Sequence, residues 1–422
     1  MITDRPAFIQ NLDIPVKNLL FSIAPAVGEE LSSPEAAVRE ALARPFAPAP
    51  LAARVKAGDR VLIVADDMTR PTPQRLLLPP LLRELEAAGV PAGRVTVLIA
   101  LGTHRPMTRV EIEGHFGSEI TARCSIFNHE YGDPAMLAPC GSTADGTPIL
   151  VNRRVREADF VIGVSSIVPH AQVGWGGGAK IILPGVAGED TVAGMHLLAA
   201  LQPGYPRFAG RVENKVRELI EEVAVKAGLK FILNAVFDAR YRLVHVLAGD
   251  PVEAHREGVR RAEPLFIRPI PGPADIVIVN AHPADLEYWQ GLKPVTLASL
   301  AVKEGGIIIL CGNFPEGVSA THPEVERYAS LGKTELDALV ESGGIKDGAC
   351  IGALYQHILV RERAAVFCVS SGLAEDTQKL LGFTPFSTVG GALSRALEIT
   401  GAEATIGVID QGGEVVPLLP KT

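Results

Sequence analysis

The sequence predicts an α/β fold made of two Rossmann-like domains with mainly parallel sheets, and an active site in the cleft between the domains. Short aliphatic runs alternate with helical segments along the chain, which is the order of parallel βαβ units. Hydrophobic residues make up 47% of the chain but aromatic residues only 5%. That balance is typical of parallel sheets whose two faces are covered by helices.

The first series of elements occupies the N-terminal part of the chain. Aliphatic runs at Val61–Val64, Val95–Ala100 and Phe160–Val164 predict buried strands, each followed by a polar or glycine-rich turn. The segment Leu76–Ala88 is apolar on one side and ends at a glycine, so it predicts a helix between the first two strands. A Thr-x-x-Glu pattern predicts a capping box and a helix that begins after Thr108.

A proline-rich stretch, Ile267–Pro273, predicts a linker between two domains. We therefore divide the chain into an N-terminal α/β domain, residues 1–268, and a smaller C-terminal α/β domain, residues 269–422. The second domain carries its own strand-end loop, Ala281–Lys293, and the run Ala404–Ile409 predicts a last strand of either domain. Its predicted strands are Ile276–Asn280, Gly306–Leu310 and Ala365–Val369.

Composition excludes several classes of protein. The net charge is −8 and no basic block is visible, which argues against a nucleic-acid partner. No apolar stretch reaches the roughly 18 to 20 residues that a membrane span needs. Residues Met1–Asn11 lack the apolar core of a signal peptide, and the five cysteines form no Cys-x-x-Cys pair. We expect a cytoplasmic protein without a membrane partner or a disulfide framework.

Three polar segments follow the three predicted strands of the first domain. They are Asp66–Pro73, Leu101–Pro106 and Pro169–Gly185. The carboxyl ends of parallel strands meet at one edge of a sheet, where ligands of such folds bind. The three segments should therefore converge on one site.

The first two of these segments offer groups for binding and acid/base chemistry. Arg70 has a planar fork of donors that suits a carboxylate or phosphate, and Asp67 could orient it. The alternative for Asp66–Pro73 is a purely structural one, a capped turn before a helix that starts at a proline. His104 is a candidate general base because the imidazole pKa lies near neutrality, although a single loop histidine is often only structural.

The third segment is the densest in glycine. Four of the five residues in Gly174–Gly178 lack a side chain, so backbone N–H groups could approach an anion closely, and Lys180 adds a cation or a nucleophilic amine. A nucleotide-hydrolase P-loop would need glycine before this lysine and a hydroxyl after it, where the chain has Ala179 and Ile181. A phosphate-binding transferase and a purely structural loop stay open as alternatives.

Two further segments contain candidate ligands. His196 lies in Gly185–Leu201, a segment that is predicted to be helical. It is either a buried core histidine or a metal ligand. The second interpretation is possible because imidazole binds nickel, copper and zinc well. Gln290 and Lys293, with Trp289 beside them, are three residues apart and share a face if that segment is helical. The alternative for this segment is an exposed helix start.

Taken together, these segments resemble the nickel-dependent lactate racemase family of 2-hydroxy acid racemases and epimerases. The resemblance runs in sequence order and spans both proposed domains. It is carried by Asp66–Pro73, Thr103–Thr108, Pro169–Gly185, His196 and Trp289–Lys293.

The resemblance implies a cofactor and its protein contacts. The family uses a nickel-pincer nucleotide, a pyridinium-3,5-bisthiocarboxylic acid mononucleotide with nickel, one arm of which can be joined to a lysine. By position, Lys180 resembles the attachment lysine and His196 the nickel ligand. Further contacts to the cofactor are implied for Asp67, Thr69, Gly176, Gly177 and Gly178. The proteins that build the cofactor are then expected partners.

The resemblance also implies an isomerase chemistry. His104 and His170 resemble the paired acid/base histidines, and Arg70 and Lys293 resemble residues that grip the substrate carboxylate, with Gln290 and Trp289 beside them. Hydride is removed from C2 of the 2-hydroxy acid through the cofactor and returned to the other face of the planar keto acid. A non-catalytic homologue that only binds the cofactor is the alternative. The substrate acid and the oligomeric state stay open.

Overall fold

The structure is a computed structural model that describes residues 12–143, 146, 148–202, 204, 206 and 208–420. The expectation drawn from Met1–Asn11 lies outside the described residues.

The described strands are, in chain order, Leu19–Ile23 (β1), Val61–Asp66 (β2), Val95–Ala100 (β3), Ser125–Asn128 (β4), Leu137–Ser142 (β5), Pro148–Asn152 (β6), Phe160–Ser166 (β7), Pro169–His170 (β8), Gly174–Trp175 (β9), Leu229–Phe237 (β10), Leu243–Gly249 (β11), Ile267–Pro269 (β12), Ala274–Asn280 (β13), Val302–Cys311 (β14), Ala364–Val369 (β15), Thr384–Phe386 (β16), Ile406–Ile409 (β17) and Val416–Leu418 (β18).

The described α-helices are Pro34–Ala43 (α1), Leu51–Arg54 (α2), Gln74–Ala87 (α3), Arg109–Phe116 (α4), Ser118–Arg123 (α5), Arg153–Glu157 (α6), Glu189–Leu201 (α7), Lys215–Ala227 (α8), Glu253–Phe266 (α9), Tyr288–Ser299 (α10), Glu324–Tyr328 (α11), Lys333–Glu341 (α12), Gly348–Arg363 (α13), Glu375–Leu380 (α14) and Val389–Thr400 (α15). Within this part of the chain, no helix has both the length and the apolar character needed to cross a bilayer.

Two six-stranded sheets organise the molecule, and each defines a lobe. The first sheet has the order β11-β10-β7-β2-β3-β4 and is parallel except for β11. The second has the order β1-β17-β13-β14-β15-β16 and is parallel throughout. We call them the N-terminal lobe and the C-terminal lobe. The expected two α/β units with mainly parallel sheets are confirmed.

The central strands are continuous aliphatic runs because helices cover both of their faces. All six residues of β2 and all seven of β7 are buried. A strand that is buried on both faces has no solvent side, so it shows no polar alternation. The same reasoning identified β3, which has the predicted bounds, and the core of β13 and β15.

In each lobe, the direction of strand succession reverses at one place. In the N-terminal lobe β2 lies between β3 and β7, and in the C-terminal lobe β13 lies between β14 and β17. Loops that leave neighbouring strands at such a reversal diverge and open a crevice at the carboxyl edge of the sheet. Both crevices supply residues to the site described below.

Several predicted elements differ from the structure. The stretch Ile267–Pro273 was expected to be a plain linker, but its first three residues form β12 and pair with β18. The strand-end loop Ala281–Lys293 ends early, because α10 begins at Tyr288. The run Ala404–Ile409, predicted as the last strand, forms β17 of the C-terminal sheet from Ile406 onward, and a further strand, β18, follows it. The predicted helix in Gly185–Leu201 begins only at Glu189.

The division of the chain at residue 268 stays a prediction, with one departure. Strand β1, near the start of the described chain, pairs with β17 of the C-terminal sheet rather than with the N-terminal lobe. In chain order, the first described strand therefore belongs to the C-terminal lobe, and the strands of the N-terminal lobe follow it.

Candidate active site

One cavity lies between the two lobes and collects side chains from both. The N-terminal lobe contributes the loops after β2, β3 and β7, and the C-terminal lobe contributes α10 and α13. Most of the residues singled out in the sequence line it, namely Asp67, Arg70, His104, His170, Gly176, Gly177, Lys180, His196, Trp289, Gln290 and Lys293. Thr69 and Gly178 do not line the cavity.

His104 is held by a buried carboxylate. Its Nδ1 lies 2.6 Å from Oδ2 of Asp67, whose other oxygen accepts from the Thr69 backbone N–H and hydroxyl. Burial acts to raise the pKa of Asp67, but contacts with His104, Arg70 and Thr69 outweigh it and hold the pKa below its usual range. An ionised Asp67 keeps the proton of a neutral His104 on Nδ1, so Nε2 presents a lone pair.

A closed ring of hydrogen bonds joins this pair to the C-terminal lobe. Gln290 Nε2 donates to His104 Nε2 at 2.7 Å, and Gln290 Oε1 accepts from Arg70 at 3.1 Å. Arg70 also donates to the Thr69 hydroxyl, and that hydroxyl donates to Oδ1 of Asp67, which closes the ring. Because an arginine can only donate, the orientation of the Gln290 amide is fixed. Arg70 and His104 are thereby positioned together across the cleft.

His170 has the opposite tautomer. It ends the two-residue strand β8, and its Nδ1 accepts from the backbone N–H of Gln172 at 3.2 Å. A neutral His170 therefore carries its proton on Nε2. Burial, together with the positive charges of Lys180 and Lys293, lowers the pKa of His170 well below its usual value. The ring is neutral at pH 7.

Two lysines line the same cavity. Among the described residues, neither Lys180 nor Lys293 has a hydrogen-bond or ion-pair partner within reach of its amine. Burial and the charge of Arg70 lower the pKa of Lys180 well below its usual value, and that of Lys293 to about 7. Basic side chains that lie together in a cavity with no carboxylate bonded to their amines indicate a site for an anionic ligand.

His196 lies on α7 with an unsatisfied ring nitrogen. Its Nδ1 is buried and has no hydrogen-bond partner among the described residues. Burial, reinforced by His322 and Lys180, lowers the pKa of His196 to about 3, so the ring is neutral and can ligate a metal. A Cβ on Gly352 would lie 2.7 Å from the Cβ of His196, so this glycine lets α13 pack directly against the histidine.

The described residues contain no group of three or more His, Cys, Asp or Glu side chains close enough to hold a metal ion. His196 is thus a single candidate protein ligand. The four buried cysteines, Cys124, Cys311, Cys350 and Cys368, lie in the cores, and Cys140 is partly exposed.

The glycine-rich loop is explained largely by packing within the protein. Gly174, Gly177 and Gly178 have φ values between +58° and +78°, a region that favours glycine. A Cβ on Gly177 would lie 2.8 Å from Ile167, and one on Gly178 would lie 2.8 Å from His255. Gly176 and Gly177 also line the cavity. A contact between this loop and a cofactor stays a prediction.

Trp289 packs against a histidine, His322, that no sequence pattern singled out. The rings of Trp289 and His322 stack with centroids 4.0 Å apart, and the His196 ring lies 6.0 Å from Trp289 on a tilted plane. His322 is bound through Nε2 to the Thr103 hydroxyl at 2.7 Å and through Nδ1 to Asp347 at 2.5 Å. The bond between His322 and Thr103 is a second polar contact between the two lobes.

Three further residues at the site were missed by sequence reasoning. Glu414 lies buried behind Lys293, and burial raises its pKa to about 7 against the opposing charge of that lysine. Gln172 and Gln356 line the cavity and bond to each other. Gln172 had a sequence signal, because it lies two residues after His170 in the glycine-rich segment. Gln356 and Glu414 had none beyond lying in the second domain.

Comparison with known families gives two matches that together span most of the chain. A profile described as "Lactate racemase N-terminal domain" matches residues 8–205. A second profile, described as "Lactate racemase C-terminal domain", matches residues 271–416.

Two curated relatives and two solved structures resemble this chain. Lactate racemase of Thermoanaerobacterium thermosaccharolyticum is 29% identical over 394 residues, 91% of this chain and 90% of that protein. Lactate racemase of Lactiplantibacillus plantarum is 30% identical over 300 residues, covering 71% and 70%. The apoprotein structure of the former superposes with a TM-score of 0.86, at 26% identity and 97% coverage of both chains. A Thermotoga maritima structure shares the fold, with a TM-score of 0.76 at 22% identity and coverage of 94% and 100%.

Proposed function

The chain belongs to the lactate racemase family, and from that premise we propose that it is a racemase or epimerase of a 2-hydroxy acid that works with a nickel-pincer nucleotide. The observation that carries the proposal is the convergence of His104, His170, Lys180 and His196 on one cavity. These residues come from three segments of the chain, because His170 and Lys180 share the glycine-rich segment Pro169–Gly185. The C-terminal lobe adds Lys293 to the same space.

The residues present fit such a cofactor. His196 offers a neutral imidazole in the wall of the cavity, which is the form that can ligate nickel. Lys180 offers an amine with a lowered pKa, and the deprotonated amine is the form that can attack a carbonyl or thiocarbonyl carbon. The cluster of Arg70, Lys180 and Lys293 suits a ligand with a phosphate group and a substrate with a carboxylate. When bound, the nucleotide supplies an acceptor and donor for the hydride on C2 of the substrate.

The two histidines would handle the proton of the substrate hydroxyl. Nε2 of His104 carries a lone pair, because Asp67 holds the ring proton on Nδ1, and in this structure that lone pair accepts from Gln290 Nε2. Once a substrate hydroxyl takes the place of that amide, the same nitrogen can accept the hydroxyl proton as the carbonyl forms. Nε2 of His170 presents an N–H, which can hydrogen-bond to the keto oxygen once the acid has turned. The proton taken up at the histidine pair returns to this oxygen when hydride returns to C2, so the reaction releases no net proton. Opposite tautomers on the two rings give the cavity one acceptor and one donor for the same substrate oxygen.

Arg70 and Lys293 would hold the carboxylate during inversion. Arg70 is oriented by Gln290, and Lys293 lies one turn further along α10 on the same helix face as Gln290. A carboxylate bound at two points fixes one end of the substrate while the C2 centre becomes planar. The ring of Trp289 lines the cavity 6.0 Å from the His196 ring, where it would limit the access of water to a bound substrate.

The proposal is tested on protein produced together with the cofactor-building enzymes. We expect about one nickel per chain, a mass increase on the peptide that contains Lys180, and inversion of a single enantiomer of a 2-hydroxy acid. The variants His104→Ala and His170→Ala should keep the nickel and lose inversion. Loaded protein that inverts no 2-hydroxy acid would instead support a cofactor-binding homologue without activity. Protein with neither nickel nor activity would contradict the proposal.

A further inference from the structure

Two glutamines and a threonine form a polar relay in the wall of the cavity. Gln172 Nε2 donates to Gln356 Oε1 at 3.1 Å, and Gln356 Nε2 donates to the hydroxyl of Thr296 at 2.6 Å. The Thr296 hydroxyl in turn donates to the backbone carbonyl of Leu292 at 2.6 Å. Gln172 belongs to the N-terminal lobe and the other three residues to the C-terminal lobe.

The direction of every bond in this relay is fixed by its last member. The carbonyl oxygen of Leu292 only accepts, and it receives bonds from both Thr296 and Gln356 Nε2. Gln356 must therefore turn its oxygen toward Gln172. Gln172 therefore donates to Gln356 through the NH₂ group of its side-chain amide, since two amide oxygens would repel each other.

One acceptor is left over at the end of the relay. Gln172 Oε1 has no hydrogen-bond partner among the described residues, and it is not sealed away from solvent, since Gln172 lines the cavity. The side chain is otherwise buried, with 9% of its surface exposed. An acceptor in this position is available to a donor on a bound molecule.

The relay adjoins the groups that are proposed to hold the substrate. Gln172 bonds through its backbone to the ring of His170, and the Leu292 carbonyl is adjacent in sequence to Lys293. The small side chain of Ala353, on the same face of α13 as Gln356, also lines the cavity and leaves space there. A 2-hydroxy acid whose carboxylate meets Lys293 and whose hydroxyl meets His170 has its third carbon in reach of this wall.

We infer that the substrate is a 2-hydroxy acid with a second hydroxyl on C3, and that Gln172 is the residue that selects it. This inference rests on the proposed function and specifies its substrate class. A C3 hydroxyl donates to Gln172 Oε1. A methyl group leaves that oxygen unpaired, and a carboxylate places a second acceptor against it.

A hydroxyl donor could also come from the ribose of the nucleotide. The two sources differ in what they affect. A contact to the substrate changes the ratio of kcat/KM between two acids but not the amount of cofactor bound. A contact to the ribose changes the nickel content of the purified protein and acts equally on all acids.

The test compares glycerate with lactate, which differ by that one hydroxyl. Nickel-loaded wild-type protein should invert glycerate with a kcat/KM at least about tenfold above that for lactate. Gln172→Leu should reduce this ratio to near one at unchanged nickel content. Gln356→Leu, which removes the restraint on the Gln172 amide, should reduce the ratio part of the way. Nickel content and circular dichroism are measured for each variant, and Gln172→Met serves if the leucine variant does not fold.

The matched control is Gln378→Leu. Gln378 is also buried and also donates to a backbone carbonyl, but it lies on α14 away from the cavity, so the variant should keep the wild-type ratio. A wild-type preference for lactate, a ratio unchanged in Gln172→Leu and Gln172→Met, or a loss of nickel instead of a change in ratio would each overturn the inference and leave the proposed function standing. Inversion of no 2-hydroxy acid by nickel-loaded protein would overturn both.

Discussion

At the level of single residues, the chemistry of the site depends on which ring nitrogen of each histidine carries the proton and on how the side-chain amide of Gln290 is oriented. Asp67 and Gln172 decide the tautomers of His104 and His170, and Arg70 decides the orientation of Gln290. None of these assignments follows from the type of residue alone. The sequence could name the histidines as candidates because they follow buried strands, but the bonds that set their roles join residues far apart in the chain.

Removing the charge of Asp67 tests the assignment of His104 as the base. We expect Asp67→Asn to lower kcat by about 10²-fold or more, because the neutral amide no longer stabilises the imidazolium that forms when His104 takes a proton. Steady-state inversion rates at equal nickel content measure this effect. Thr69→Ser is the control, since it keeps the hydroxyl that bonds to Oδ1 of Asp67 and accepts from Arg70, and it leaves the Oδ2 bond to His104. A fully active Asp67→Asn protein would rule out this role.

The pH dependence of KM tests Lys293. Its pKa is lowered to about 7, so the ammonium form that attracts a carboxylate is present below pH 7 and is lost as the pH rises through that value. KM should therefore rise above pH 7. Lys293→Arg should flatten the profile because a guanidinium stays charged. Glu414→Gln removes an opposing negative charge and should move the rise to lower pH. A KM that is independent of pH between 6 and 9 in wild-type protein would argue against a titrating Lys293.

At the scale of elements, the strands that are buried on both faces were the most predictable. The bounds of β3 agree with its aliphatic run, and the capping box of Thr108 begins α4 as expected. Pairing between distant short segments was not predictable. β1 has five residues and β12 three, and neither carries a local signal for the sheet or strand it joins. The proline-rich stretch that contains β12 was predicted to be a linker. Its pairing partner, β18, lies about 150 residues further along the chain, so no local pattern indicated the pairing.

The contact between α7 and α13 positions His196, and a glycine substitution tests it. In Gly352→Ala the new methyl group would lie within 3 Å of the His196 backbone and Cβ, so the helices must separate. We expect the free energy of unfolding to fall by about 1–3 kcal/mol, measured by chemical denaturation, and the nickel content to fall with it.

The control for this substitution lies on α7 itself. Gly194 is exposed, and an added Cβ meets no atom within 4 Å. Gly194→Ala should therefore stabilise the helix by up to about 1 kcal/mol and keep the nickel. Equal behaviour of the two variants would show that close packing at Gly352 does not position His196.

At the scale of the whole molecule, the lobes meet through polar contacts that surround the site. Arg105 of the N-terminal lobe pairs with Glu316 of the C-terminal lobe at 2.5 Å, and Thr103 bonds to His322. Both N-terminal residues flank His104. The sequence predicted a cleft between two domains with residues from each, which is observed. The relay from Gln172 to Gln356 was not predictable, since its two members are 184 positions apart.

The ion pair between the lobes should favour the closed cleft. Arg105 and Glu316 are about three-quarters buried, with 29% and 25% of their side chains exposed. A pair of this kind contributes about 1 kcal/mol or less. We expect Glu316→Gln to raise KM by up to about fivefold with little change in kcat, measured by steady-state kinetics at low salt. Glu119→Gln, in an exposed pair within the N-terminal lobe, should leave KM unchanged. Equal KM values in both variants would show that the pair does not affect closure.

The most direct test of the account follows the hydrogen on C2 during inversion in heavy water. Nickel-loaded protein is incubated in D₂O with one enantiomer of a 2-hydroxy acid that it inverts, and the inverted product is examined by NMR spectroscopy. Transfer of hydride away from C2 and back, with the two histidines handling only the hydroxyl proton, predicts that the product keeps its original hydrogen on C2. Deuterium on C2 of the inverted product would show that a side chain removes this hydrogen as a proton, and would contradict the roles assigned to His104 and His170.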